Sequence, residues 1–221
     1  MVAGVHYLAR YEKGVGEAGR QMLDRVSGAG QRLGKLLDEL ELAAWIAGRP
    51  AGALVSGPVA IAGLVEGAIA RLERAAAQRS VTVHAEVPAG LPDLDADAEL
   101  IGVALEYAID FAVARSPGRS VRVRAALVDG APVVVVTDEG GPVSEDALAR
   151  LFEPFAEREL IPKPEPGARR RERLGLGLAI ARGIFEAHGG AITAAPAPGG
   201  GGGVELTCAL AGPACREPPP V

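Results

Sequence analysis

Two short glycine-bearing blocks constrain this chain more than any other feature. The first closes a β-branched run, Val133-Val134-Val135-Val136-Thr137, with Asp138-Glu139-Gly140-Gly141-Pro142-Val143. The second, Gly175-Leu176-Gly177-Leu178-Ala179-Ile180, opens an apolar run of helical period. Glycines beside a strand-terminal carboxylate let another group approach the backbone closely, although Asp-Glu-Gly-Gly standing alone is an ordinary turn. Closely spaced glycines at a helix start expose N–H groups where the helix dipole favours negative charge, so Gly175 and Gly177 suit phosphate oxygens.

Around these blocks the patterns mix. Strand-like alternation covers residues 81–87, 121–128, 133–137, 191–195 and 203–210, with a short extended piece near 56–58, and helical spacing covers 60–78, 97–115, 145–151 and 176–187. Asp129-Gly130 between two apolar runs is a hairpin signal. Residues 156–173 are rich in Pro and Arg and read as irregular. Strands and helices without strict alternation predict an α+β sandwich with helices on one face. His84 falls on the pleat face opposite Val81, Val83, Ala85 and Val87, which directs it to solvent.

The N-terminal region reads differently. From 17 to 47 the spacing is helical, and Met22, Val26, Ala29, Leu33, Leu36, Leu40 and Ala43 alternate steps of four and three, the spacing of a heptad seam. Such a stripe wants a partner: either residues 2–13 turned back at Gly14-Val15-Gly16 as a helical hairpin, or the same helix of a second copy. An amphipathic helix laid on its own domain is the alternative, and Gly19, Gly28, Gly30 and Gly34 weaken its intrinsic helicity. Gly48-Arg49-Pro50-Ala51-Gly52 stops the helix. The expected division is a helical dimerisation region over 1–49, a sandwich domain over 53–211 and a disordered tail over 212–221.

Charge and composition narrow the function. The 221 residues carry a net charge of −5, and the one dense basic run is Arg169-Arg170-Arg171, which argues against a nucleic-acid partner. The longest apolar stretches are broken by Gly, Pro and Glu well short of a membrane span. A cytoplasmic protein with no membrane partner is expected, with Cys208 and Cys215 as free thiols.

The two glycine blocks, with Leu151-Phe152-Glu153-Pro154-Phe155 between them, resemble the ATP-binding domain of sensor histidine kinases, a Bergerat fold. The resemblance implies that Asp138 accepts the adenine amino group, that Gly140, Gly175 and Gly177 line the nucleotide, and that ATP or ADP is the cofactor. It implies that Phe152 and Phe155 anchor a lid formed by residues 157–173, with Arg169 to Arg171 available to phosphates. Two core aromatics and a solvated charged loop explain the same residues. Glu186-Ala187-His188-Gly189-Gly190 resembles the family's helix ending, which makes His188 and Gly189 capping residues. Several positions depart from the pattern: Pro142 and Arg173 replace glycines, and Ala114 replaces a basic residue. Most consequentially, Tyr107 and Phe111 replace the two asparagines of which the second holds magnesium. Neither aromatic is a suitable hard oxygen ligand when neutral, so magnesium is not expected. Glu106 and Asp110 each sit one position earlier, about 100° around the helix from the required face. The family's phosphorylated histidine is also unmatched, since His6 lacks the acidic neighbour that activates it.

Three readings follow. One is a degenerate, dimeric histidine-kinase-like module that regulates a partner kinase or docks a response regulator, with at most weak ATP binding. Another is an active ATP-dependent histidine kinase using Glu106 or Asp110 for metal. The third is a phosphotransferase using His6.

Overall fold

The computed structural model describes residues 16–48, 54–162, 174–199 and 201–210. His6 and residues 2–13, the expected boundary at Pro50, Arg169 to Arg173 and the tail lie outside them. The described chain runs α1 (Glu17–Gly48), β1 (Gly57–Val59), α2 (Ile61–Ala77), β2 (Thr82–Glu86), β3 (Leu94–Ala96), α3 (Ala98–Arg115), β4 (Ser120–Val128), β5 (Ala131–Asp138), α4 (Glu145–Ala149), α5 (Glu157–Leu160), α6 (Gly177–Ala187), β6 (Ala191–Pro196) and β7 (Val204–Ala209).

Five strands form one mixed sheet in the order β2-β4-β5-β7-β6, with β2 parallel to β4 and the other pairs antiparallel. Along β4, Val121, Val123 and Ala125 are buried while Arg122 and Arg124 are exposed, the alternation of a sheet covered on one side. The covering layer is α2, α3 and α6. Its central member, α3, is buried on nearly every side, from Ile101 through Ala104, Leu105, Ala108, Ile109 and Phe111 to Arg115. Asp97 starts that helix by accepting the N–H groups of Glu99 and Leu100 at 3.2 and 3.1 Å. Asp129 and Gly130, both at positive φ (52° and 78°), make the tight β4–β5 turn that the sequence predicts.

Two small elements escape the sequence reading. β3 pairs with β1 to form a second, two-stranded sheet; its three residues offer too little alternation to be recognised. α5 falls inside the stretch expected to be irregular.

α1 is one unbroken helix of 32 residues. Met22, Val26, Leu33 and Leu40 of the expected seam are between 48% and 62% exposed, and Leu36 is half-buried. Ala43 departs from that expectation: with Leu42 and Ile46 it packs on the core of the chain's own sandwich domain. Ile46 seats against Gly183 of α6, where any Cβ would overlap it. The last turns of α1 thus serve the domain, and the earlier turns present their apolar residues outward. Among the described residues no helix is long and apolar enough to cross a membrane.

Candidate functional site

β5 delivers Asp138 to the end of the sheet, next to the C-terminus of α3. The carboxylate is almost fully enclosed, and both oxygens have partners: Oδ1 accepts the Gly140 N–H at 2.7 Å and Oδ2 accepts Nε–H of Arg115 at 2.9 Å. Side-chain exposure is 1% for Asp138 and 3% for Arg115, so this is an ion pair withdrawn from water. Arg115 also donates to Leu160 O at 2.9 Å and to Gly141 O at 2.6 Å. Its guanidinium carbon lies 5.7 Å from the ring centre of Phe111. Burial pushes the Asp138 carboxyl upward; Arg115 and the N–H groups of Gly140 and Val204 hold it partly back. Gly140 has a local reason to be glycine, because a Cβ there would stand 2.8 Å from Arg115 Nη2 and from Asp138 Oδ1.

The second glycine block sits at the start of α6, close under α5. Leu178 donates its N–H to Oε2 of Glu157 at 2.8 Å, and Glu157 is itself buried. Gly175 has φ +83°, a conformation that favours glycine. A Cβ at Gly175 would fall 2.5 Å from Cγ of Arg158 and 3.1 Å from Cα of Phe155, and one at Gly177 would fall 2.8 Å from Cδ1 of Tyr107. Phe155 donates its backbone N–H to Gly175 O at 2.7 Å. The close approach that these glycines permit is therefore taken up by the chain's own residues.

α3 supplies the rest of the wall. Phe111 is fully buried and Tyr107 half-buried. Burial chiefly, then the carboxylates of Glu39, Glu106, Glu157 and Asp110, drives the Tyr107 phenol far above its ordinary range, which keeps it neutral. A phenyl ring and a neutral phenol do not fit magnesium, which takes hard oxygen ligands. Glu106 points elsewhere: it accepts Nε–H of Arg71 at 2.7 Å, in the groove between α2 and α3. That orientation removes it as a substitute metal ligand at the α6 end of the site.

The remaining candidates separate. His188 ends α6, with the Gly189 and Gly190 N–H groups returning to Glu186 O and Phe185 O as a Schellman cap. The His188 ring also ties α6 to α3: Nε2 accepts the Asp97 N–H at 3.1 Å, which leaves Nδ1 to donate to Ile184 O at 2.8 Å. His84 is exposed on β2, Phe152 packs at the core edge, and Phe155, at φ 73°, is 54% exposed. The reading of Phe155 as a core aromatic is thus corrected: its positive φ turns the chain into α5 and leaves the ring outside. Sequence reasoning passed over Arg115 and Glu157. Arg115 lay within reach, since it continues the buried stripe Ala104, Ala108, Phe111 at helical steps. Glu157 had no such signal.

Residues 96–212 match the family described as histidine kinase-, DNA gyrase B-, and HSP90-like ATPase. The sensor protein KdpD of Mycobacterium tuberculosis is 38% identical over 107 residues, 48% of this chain and 12% of that protein. The C4-dicarboxylate transport sensor protein DctB of Rhizobium meliloti is 29% identical over 174 residues, 77% of this chain and 25% of that protein. Among solved structures, full-length ShkA in complex with AMPPNP superposes with a TM-score of 0.75 at 26% identity, over 96% of this chain and 44% of that one. The mycobacterial sensor histidine kinase MprB does so with a TM-score of 0.58 at 26% identity, over 71% and 97%. The chain belongs to this ATPase family and, within it, to the sensor histidine kinases. It spans 12% and 25% of the two curated relatives named here.

Proposed function

We propose that this chain is a dimeric regulatory or docking module of two-component signalling, built on a histidine-kinase ATPase domain whose magnesium chemistry has been lost. The observation that carries the reading is the wall of α3 beside the α6 N-terminus, where Tyr107 and Phe111 stand in place of oxygen ligands. Phosphoryl transfer depends on a metal ion to neutralise the charge that develops on the transferring group, and a phenyl ring with a neutral phenol provides none of that coordination. Asp138, Gly140, Gly175 and Gly177 retain family positions for nucleotide, and the AMPPNP in the ShkA complex makes ATP or ADP the ligand class to expect, bound weakly. The stripe Met22, Val26, Leu33, Leu36 and Leu40, exposed but for the half-buried Leu36, favours a homodimer through α1, and a response regulator or a partner kinase is the protein such a module would engage.

Incubation with γ-labelled ATP and magnesium tests the reading. The expected result is no label on the protein and no ADP released above buffer. Magnesium-dependent labelling or turnover would overturn it.

A further inference from the structure

We propose that α5 closes the nucleotide site from within, Glu157 holding the α6 N-terminus where a phosphate would sit and Arg115 holding Asp138. The proposal rests on the reading that Asp138 marks the base end of that site and the Gly175–Gly177 turn its phosphate end.

Three contacts converge on the four residues Glu157–Leu160, and a fourth fixes Phe155 just before them. At the first, the Glu157 carboxylate accepts the Leu178 N–H at 2.8 Å, within the first turn of an 11-residue helix. That is the position and the charge an anion would take at a helix start, because the free N–H groups and the dipole both favour negative charge there. At the last, Leu160 O accepts Nη1–H of Arg115 at 2.9 Å. Arg115 in turn bonds Asp138 Oδ2 at 2.9 Å and Gly141 O at 2.6 Å, so one guanidinium links α5, the strand-end carboxylate and the loop after it. Between these ends the Arg158 stem lies across Gly175, and just before α5 the Phe155 N–H is tied to Gly175 O at 2.7 Å.

The arrangement resembles occupancy by a ligand. An anion sits on the α6 N-terminus, a planar multi-donor group sits on Asp138, and both come from the protein. Nucleotide phosphate would meet the buried Glu157 carboxylate at its own position, a like charge that must leave before it can enter. Binding is then an exchange in which the incoming phosphate replaces Glu157 and α5 swings away. Affinity is lowered by the fraction of time the site spends open. Adenosine, which lacks phosphate, does not compete with the Glu157 carboxylate itself and gains only from the release of α5 and, through Leu160 O, of Arg115.

The test is a calorimetric titration of the full chain with ADP and with adenosine, without magnesium, comparing wild type with Glu157→Ala and Glu157→Gln. The expected result is a gain in ADP affinity of roughly tenfold or more in Glu157→Ala, a smaller gain in Glu157→Gln, and a distinctly smaller gain for adenosine than for ADP in each variant. Glu157→Gln keeps the size and an acceptor for Leu178 N–H, so it remains informative should the alanine variant misfold. In wild type, hydrogen exchange of the α5 amides supplies a second readout: residues 157–160 should lose protection when ADP is added. ADP affinity unchanged in both variants, equal gains for ADP and adenosine, or ADP binding with α5 protection retained would each overturn the closure. Magnesium-dependent turnover in a Glu157 variant would instead refute the loss of metal chemistry and leave the closure standing.

Discussion

Replacing Arg115 by Met should be far more costly than replacing Asp138 by Asn, although the two residues form one ion pair. Arg115→Met leaves the Asp138 carboxylate enclosed without its cation, while the Gly140 N–H remains. Removing one member of a buried pair costs about 3–5 kcal/mol, a melting-temperature loss of roughly 6–20 °C for a chain of this size. Asp138→Asn leaves Arg115 still bonded to Leu160 O and Gly141 O and packed over Phe111. Burial already outweighs the attraction at Asp138, whose carboxyl is raised, so losing its charge is the lesser perturbation. The same shift gives the sign with pH. A carboxyl with a folded pKa above the unfolded value, about 3.9, contributes stability below that value and loses it as pH rises through the folded pKa. Arg115→Met raises the folded pKa further, so its penalty should grow as pH rises through and above the wild-type folded pKa. Urea unfolding of wild type, both single variants and the double variant across a pH series measures it. An Arg115→Met cost below about 1 kcal/mol, or a cost smaller than that of Asp138→Asn, would refute the reasoning. The double variant should recover most of the Arg115→Met loss.

Other predictions concern α1. Gly183→Ala should destabilise by about 1–3 kcal/mol through collision with Ile46; in an Ile46→Ala background it should become neutral or favourable, since Ala is the better helix former, and thermal melts of the four proteins read this directly. Leu33→Asp, on a residue 59% exposed in the single chain, should shift sedimentation from dimer to monomer while leaving the far-UV circular dichroism of the ATPase domain unchanged; a Leu33→Asp dimer would place the homodimer interface elsewhere.

Much of the fold is readable in the sequence for physical reasons that can be named. β4 and β5 alternate or run apolar because a layer of helices covers one face of their sheet, and Asp129-Gly130 marks their turn because both residues adopt positive φ there. α3 begins at Asp97 because the carboxylate caps it, and α6 ends at His188 because Gly189 supplies the positive φ that a Schellman cap requires. The site is less legible. Its family residues are recognisable one by one, but their present partners are distant in sequence: Arg115 reaches Leu160, and Glu157 reaches Leu178. A glutamate within the charged run Glu157-Arg158-Glu159 reads as solvated, and only the packing of α5 against α6 buries it. Glycine posed a related difficulty, because Gly140 and Gly177 read as room for a ligand while the structure fills that room with Arg115 and Tyr107.

The most direct test of the central claim, an ATPase domain without a working magnesium site, is titration of the purified chain with ADP with and without magnesium, followed by calorimetry. Weak binding with the same affinity in both conditions is expected, because neither Phe111 nor the neutral Tyr107 phenol can hold the ion that would bridge the phosphates. A magnesium-dependent rise in affinity would contradict it and restore this chain to the metal-dependent kinases.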